Sequence, residues 1–377
     1  MKIKILFLID NIAADDFEQG PARIINGLSR DRYEVYLACQ QGNNFSKTIK
    51  DDVEYIPLDF SRKISPGLIF KLAGIIRRKR IGIIHAYGPR SDFHGRLARL
   101  ISRNIRYVST IALPEEGSEE ERYRKRRPGL YTRFSNRLVG RFIAPSDLIR
   151  KEVSGPGGGI NPDKIVRIYN GVDGDRFRHA SEGRERVRAE FNIADDTVLI
   201  GAAGRLVWQK GFEFIIKSIP ILIKSHPNIK ILIAGDGPFK KHLIMHSRMI
   251  GIDSYIILAG FRNDIEDVLS AVDILVIPSL MDEFPMIALE GMAMAKPIVA
   301  TRMEGITEQI SDKENGLLVL SWDANALAKA INRLLIDRTF AEGLGKKARE
   351  KVERDFSTEK MIAETEKVYG SLCEGRG

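Results

Sequence analysis

Short apolar runs recur along the chain, separated by longer segments with the spacing of amphipathic helices. In the first half they are Ile3–Ile9, Val35–Cys39, Ile81–Ala86, Tyr107–Ile111, Phe142–Ala144 and Ile165–Ile168. In the second they are Val198–Ala203, Ile229–Ala234, Tyr255–Ala259, Ile274–Pro278, Pro297–Ala300 and Gly316–Leu320. Runs that are apolar on both faces and alternate with helical patterns predict parallel strands in α/β units. Two such sets predict two doubly wound, parallel-sheet domains of the Rossmann-like kind, with ligands beyond the carboxyl ends of the strands. Asp173-Gly174-Asp175-Arg176 and Ser181-Glu182-Gly183-Arg184 are polar and turn-rich. They place the boundary between Asp173 and Asp195, giving an N-terminal domain over 1–180 and a C-terminal domain over 181–377. Gly155-Pro156-Gly157-Gly158-Gly159 lacks the Lys-Ser/Thr of a nucleoside-triphosphate loop and reads as a connection.

Composition narrows the classes. Of 377 residues, 44% are hydrophobic and 29% charged, which excludes a disordered or collagen-like chain. No apolar run reaches the roughly 18–20 residues of a membrane span. Asp10 interrupts the opening apolar stretch too early for a signal peptide, so that stretch reads as a buried first strand. Cys39 and Cys373 are far apart and in no metal spacing, which fits a cytoplasmic protein. Charge is uneven. Residues 1–180 hold 33 Lys and Arg against 21 Asp and Glu, a net of +12, and residues 181–377 hold 26 against 29, a net of −3. A basic half attracts nucleic acid, an anionic membrane or an acidic substrate. Nothing resembles a nucleic-acid-binding motif, so nucleic acid is not an expected partner.

The strand ends of the second half carry the candidate chemistry. After Val198–Ala203, Arg205 and Lys210 flank a turn that runs into a helix at Phe212. Cations beside helix-start amides make a diphosphate site, and the plainer alternative is two exposed cations. Gly235 and Gly237 form a tight turn after Ile229–Ala234 that permits close ligand approach, without the complete glycine fingerprint of a nicotinamide or flavin site. Phe261 and Arg262 follow Tyr255–Ala259. Backbone there suits a nucleobase edge, and the Phe261 ring is expected in the core. After Ile274–Pro278, Asp282 and Glu283 precede a helix that Pro285 opens. Glu290 lies within that almost wholly apolar helix and needs donors: a ribose diol, or backbone or an Arg.

The ordered set Gly204-Arg205-Leu206…Lys210-Gly211, Ala234-Gly235-Asp236-Gly237-Pro238, Gly260-Phe261-Arg262, Asp282-Glu283-Phe284-Pro285…Glu290-Gly291-Met292-Ala293, Lys296-Pro297-Ile298-Val299-Ala300-Thr301 and Asn315-Gly316-Leu317-Leu318-Val319 resembles the retaining glycosyltransferases of the group 1 type, family 4. Ile143-Ala144-Pro145-Ser146 and Ile168-Tyr169-Asn170-Gly171-Val172-Asp173 match the end of that family's first domain. The resemblance implies the B-type glycosyltransferase fold with an interdomain cleft. The first domain would bind a glycan or lipid-linked saccharide acceptor, and the second a nucleotide-sugar donor. The last helix, about 358–373, is expected to cross back to the N-terminal domain.

Roles follow from the resemblance residue by residue. Arg205 and Lys210 would hold the donor diphosphate, Asp282 the donor sugar and Glu290 the ribose. Backbone from Phe284 through Pro285 and Met286 to Ile287 would cap a phosphate or sugar hydroxyl, beside Glu283. Gly20 matches the glycine loop after the first strand, and would face the donor across the cleft. His85 sits at a strand end, with an acceptor role or a structural one bonded to backbone both open. With no metal-ligand cluster and the nucleotide sugar a substrate, transfer is expected to need no metal or cofactor. The sequence departs from the family pattern at Asp282 (usually Glu), at Glu283, Ala295 and Glu304 (usually Gly), and at Ala112 (commonly His). An epimerase or phosphorylase on the same fold, or a catalytically weak nucleotide- or glycan-binding protein, are the alternatives. The acid-then-base segment Glu115–Pro128 reads as a solvated loop, a lid or an acceptor contact. With Arg77-Arg78-Lys79-Arg80 it fits peripheral contact with an anionic membrane.

Overall fold

The computed structural model describes residues 2–10, 19–40, 48–62, 64–102, 105–111, 134–155 and 159–374. The chain divides into two compact units, one formed by 1–170 with 358–377 and the other by 171–357.

The first unit is built on a seven-stranded parallel sheet. Its strands are β1 (Ile3–Ile9), β2 (Tyr33–Cys39), β3 (Glu54–Pro57), β4 (Ile83–Tyr87), β5 (Arg106–Thr110), β6 (Arg141–Ala144) and β7 (Ile165–Arg167), in the order β3-β2-β1-β4-β5-β6-β7. Its helices are α1 (Gln19–Gly27), α2 (Pro66–Lys79), α3 (Pro89–Ser102) and α4 (Asp147–Ser154). The second unit repeats the plan with β8 (Val198–Ala203), β9 (Ile229–Ala234), β10 (Ile256–Gly260), β11 (Ile274–Ile277), β12 (Ile298–Thr301) and β13 (Leu317–Val319), ordered β10-β9-β8-β11-β12-β13. It carries α5 (Ser181–Glu190), α6 (Phe212–Leu222), α7 (Lys240–Met249), α8 (Ile265–Ala271), α9 (Met286–Ala293), α10 (Glu304–Gln309), α11 (Ala324–Ile336) and α12 (Arg338–Asp355). The last helix, α13 (Thr358–Glu374), belongs to the first unit.

Both sheets are apolar on two faces, as parallel sheets between helices must be. Successive side chains of β1 serve opposite cores: Ile5, Phe7 and Ile9 on one side, Leu6 and Leu8 on the other. In β8, Ile200 and Ala202 enter one core and Leu199 the other. Each order reverses direction at one place, between β1 and β4 and between β8 and β11. The helices that follow the paired strands leave on opposite faces there, opening a crevice at the carboxyl ends.

The first unit ends at Asn170, upstream of the boundary at 180 read from the sequence. The turn-rich stretch is packed rather than free. Phe177 is fully buried, Arg176 pairs with Glu266 at 3.0 Å, and the Ala180 amide donates to Ser270 Oγ at 3.2 Å. Polar composition marked a turn there, but these partners tie it to the second unit.

Helix α13 completes the first unit's core with Met361, Val368 and Tyr369. His85, on β4, is fully buried beneath it and not open at a strand end. Its Nδ1 lies 2.6 Å from Tyr369 Oη and its Nε2 2.8 Å from Thr110 Oγ1. The ring is bonded to side chains and not, as the structural reading had it, to backbone. Burial lowers its pKa to about 3, so the neutral ring is the folded form. An unfolded histidine titrates near 6.5, so His85 supplies stability that is complete above that pH and lost as pH falls towards 3. We expect urea unfolding of wild type and His85→Gln to show a stability gap that narrows between pH 7 and pH 4.5; a constant gap means that His85 titrates alike in the folded and unfolded chain.

Candidate donor site

The crevice of the second unit is built by the segments that leave β8 and β11. After β8 the chain runs through Gly204, Arg205 and the buried Leu206 to a 3₁₀ turn, Trp208–Lys210, and enters α6 at Phe212. Gly211 links turn to helix with φ 62°. A Cβ at Gly211 would run into the Pro278 carbonyl at the end of β11, so only glycine lets the two segments touch. The Gln209 carbonyl accepts from the amides of Leu280 at 2.7 Å and Met281 at 3.3 Å. This contact fixes the chain after β11 and brings Asp282 Oδ2 within 2.8 Å of Lys210 Nζ. Two residues assigned to the donor are thereby joined in an ion pair whose side chains are 17% and 8% exposed. Arg205 is half-buried on the same segment.

The chain after β9 braces this arrangement. Leu206 N–H donates to the Asp236 carbonyl at 2.9 Å and Phe239 N–H to the Leu206 carbonyl at 2.8 Å. Gly235, with φ 140°, lies so close to Gly204 that a Cβ would strike its carbonyl. Gly237 N–H donates to Asp236 Oδ1 at 2.7 Å. Both glycines serve to pack one loop on the other.

Helix α9 begins beside Asp282. Pro285 is its N-cap and supplies no N–H, so Met286 and Ile287 present the first helical amides. Phe284, Met286 and Ile287 are buried. All eight residues of α9 are buried, and Glu290, 3% exposed, lies among them. Three residues not singled out in the sequence hold this region. Gln309 Nε2 donates to the Pro285 carbonyl at 3.3 Å. Thr301 Oγ1 donates to the Ile277 and Ser279 carbonyls. Gln209 acts through its backbone, which leaves no trace in sequence.

One expectation for the chain after β10 is overturned. The Phe261 ring is 59% exposed, not in the core. The Arg262 guanidinium forms a two-pronged pair with Glu190 at 2.6 and 2.9 Å and bonds Asp264 at 2.8 and 2.9 Å, which holds its pKa above the ordinary arginine value. It fastens α5 to the end of β10 and is occupied by carboxylates. The residues that depart from the family pattern also find places. Glu304 is exposed in the first turn of α10, where a negative charge is favourable. Ala295 has φ 53°, a left-handed conformation that explains a preference for glycine there.

The first unit treats its crevice differently. Asp10, at the end of β1, accepts from the Arg90 amide at 2.7 Å and from the Ser91 amide, so its own carboxylate covers the start of α3. Burial raises the Asp10 pKa. Gly20, in α1, lines a small cavity with Tyr87, Thr110, Asn170 and Thr365. Ala112 and the charged segment Glu115–Pro128 lie outside the described residues.

Two parallel sheets of this strand order define a doubly wound α/β protein with two Rossmann-like units. Residues 183–351 match the family described as glycosyl transferases group 1, and residues 20–176 match glycosyltransferase family 4. The chain belongs to the group 1 glycosyltransferases, and is a nucleotide-sugar-dependent enzyme of that family. It is 28% identical over 321 residues to an uncharacterized glycosyltransferase of Methanocaldococcus jannaschii, covering 81% of this chain and 80% of that one. It is 21% identical to an Escherichia coli UDP-Gal:α-D-GlcNAc-diphosphoundecaprenol α-1,3-galactosyltransferase, over 91% and 90% of the two chains. Anabaena HepE, solved in complex with UDP-glucose, superposes with a TM-score of 0.83 at 20% identity, over 98% of this chain and 100% of that one. That likeness gives the fold, two Rossmann-like domains of the B-type glycosyltransferase architecture.

If Arg205 and Lys210 stabilise a leaving diphosphate, Arg205→Ala and Lys210→Ala each lower turnover by roughly 10²-fold or more, the scale for losing one electrostatic stabiliser. Steady-state kinetics with the cognate donor checks this, and unchanged turnover in both variants removes the assignment.

Proposed function

We propose that the protein moves a sugar from a nucleotide-sugar donor to a glycan or lipid-linked saccharide, with retention of anomeric configuration and without a metal. The reading rests on one observation: Lys210, Asp282 and the start of α9 meet at the reversal point of the second sheet. Negative charge that builds on a departing diphosphate is stabilised by preorganised cations and helix-start amides. In that site Lys210 is shared between the diphosphate and Asp282, which positions the lysine when the site is empty and faces the donor sugar when it is filled. The donor's anomeric C–O bond to phosphate breaks through an oxocarbenium-like state. The acceptor oxygen attacks from the same face and passes its proton to the leaving phosphate. The solved neighbour bound to UDP-glucose makes uridine diphosphate sugars the first donors to test. The lipid-linked substrate in the name of the E. coli relative favours a similar acceptor class.

A panel of nucleotide sugars screened by thermal shift identifies the donor, because a ligand at 100 times its dissociation constant stabilises by about 2.7 kcal/mol. With that donor's nucleotide, Glu290→Gln is expected to weaken binding by roughly 1–3 kcal/mol if the carboxylate receives the ribose hydroxyls. Calorimetry measures it, and equal affinities make Glu290 structural.

No helix among the described residues is long and apolar enough to cross a membrane. We read the basic cluster at the end of α2 as a peripheral membrane contact: Arg77, Arg78 and Arg80 are exposed, while Lys79 pairs with Glu54 at 2.7 Å. The protein is expected to sediment with anionic liposomes at low salt and to release as the Debye length shrinks to about 8 Å at 0.15 M. Replacing Arg77, Arg78 and Arg80 by Gln removes about 1 kcal/mol of attraction per charge; sedimentation unchanged by the triple substitution rules this contact out.

A further inference from the structure

Two of the chain's six histidines, His242 and His246, stand one helical turn apart on α7. Residues at this spacing project from one face of a helix. Glu213, in the first turn of α6, reaches the same place, with its Oε2 3.6 Å from His242 Nε2. One ligand-capable atom from each of the three lies within 4.8 Å of the others. Zinc bonds of about 2.0–2.1 Å to nitrogen and oxygen in a tetrahedral site put neighbouring ligand atoms about 3.3 Å apart. The Glu213–His242 pair is already close to that spacing, and His246 offers its ligand atom within 4.8 Å of both.

The surroundings favour ligation. The Phe239 ring stacks on His242 with centroids 4.3 Å apart and planes 27° apart, which restrains the imidazole. Lys217 Nζ sits 3.4 Å from Glu213 Oε1, so it engages the oxygen turned away from the closest histidine contact and leaves Oε2 for it. His246 is half-buried, and its Nδ1 is closed off from solvent with no hydrogen-bond partner. Such a nitrogen calls for an explanation, and a bound ion is one that the neighbouring ligands supply.

We propose that Glu213, His242 and His246 form a site for a divalent transition-metal ion, zinc foremost, with the fourth position open to water. Two imidazoles and one carboxylate select zinc over magnesium or calcium, which prefer all-oxygen shells. The site's three ligands are none of the residues assigned to the donor. The ion joins α6 to α7, the helices that follow β8 and β9, and anchors the start of α6 just after Gly211. Its role is to hold that helix start against α7.

Metal-stripped protein titrated with zinc by calorimetry tests this, with cobalt absorption as a second probe of a tetrahedral nitrogen–oxygen site. The expected result is a single zinc ion per chain, a melting temperature raised by zinc and not by magnesium, and a cobalt spectrum of the tetrahedral type. His242→Ala, His246→Ala and Glu213→Gln are each expected to weaken zinc binding by more than about tenfold. Circular dichroism reports whether each variant is folded, and His242→Gln replaces any that is not, since His242 is exposed. No zinc binding to folded wild type, or binding unchanged in the histidine variants, overturns the site. Nucleotide binding by the metal-free protein is expected to persist, so failure here leaves the donor site standing and the reverse also holds.

Discussion

The Gln209 carbonyl, shared by the amides of Leu280 and Met281, is the contact on which the candidate donor site depends. Strand order reverses between β8 and β11, and no strand-to-strand regularity carries the chain once it leaves the sheet. Gly211 admits the approach by lacking a Cβ, and the carbonyl then fixes it. Lys210 and Asp282 meet only because this contact sets the two segments in register. Thr301 from β12 and Gln309 from α10 hold the same region from the other side through carbonyls. The site is thus a meeting of backbones first and of charges second.

Most of the fold was legible in the alternation of apolar runs with helical segments. Twelve of the strands grow from such runs, because central strands of a parallel sheet must be apolar on both faces. The one missed, β3, is an edge strand of four residues, none of them buried, and its sequence Glu-Tyr-Ile-Pro carries no continuous apolar signal. The candidate site was legible where strand ends bear charge, as at Lys210 and Asp282. It was not legible where a side chain's partner comes from far along the chain. Nothing around Arg262 announces its partner Glu190, 72 residues earlier. His85 looked like a strand-end residue, and Tyr369, 284 residues later, covers it. Phe261 failed in the other direction, because an aromatic ring beside an apolar run reads as core whichever way the loop turns it.

The departures from the family pattern have separate physical meanings. Ala295 occupies a left-handed backbone position, so its cost is conformational and local. Glu304 sits where a helix start favours a negative charge, so its repulsion of an anionic ligand is offset in part by the dipole. Asp282 is shorter than the usual glutamate, and its carboxylate still reaches Lys210. None of the three removes a group that the proposed reaction needs.

Helix α13 has a consequence for the order in which the protein is made. Met361, Val368 and Tyr369 are the final large pieces of a core whose first strand is Ile3–Ile9. Emerging from the ribosome at roughly 5–20 residues per second, residues 171–357 have all they need to close their own sheet before those pieces exist. The part of the chain synthesised first is therefore the part that finishes last. Until then the face of β1, β2 and β4 that α1 covers only in part must wait for its last apolar pieces, and a chain interrupted before Met361 would leave a closed second unit joined to a first unit unable to seal its core.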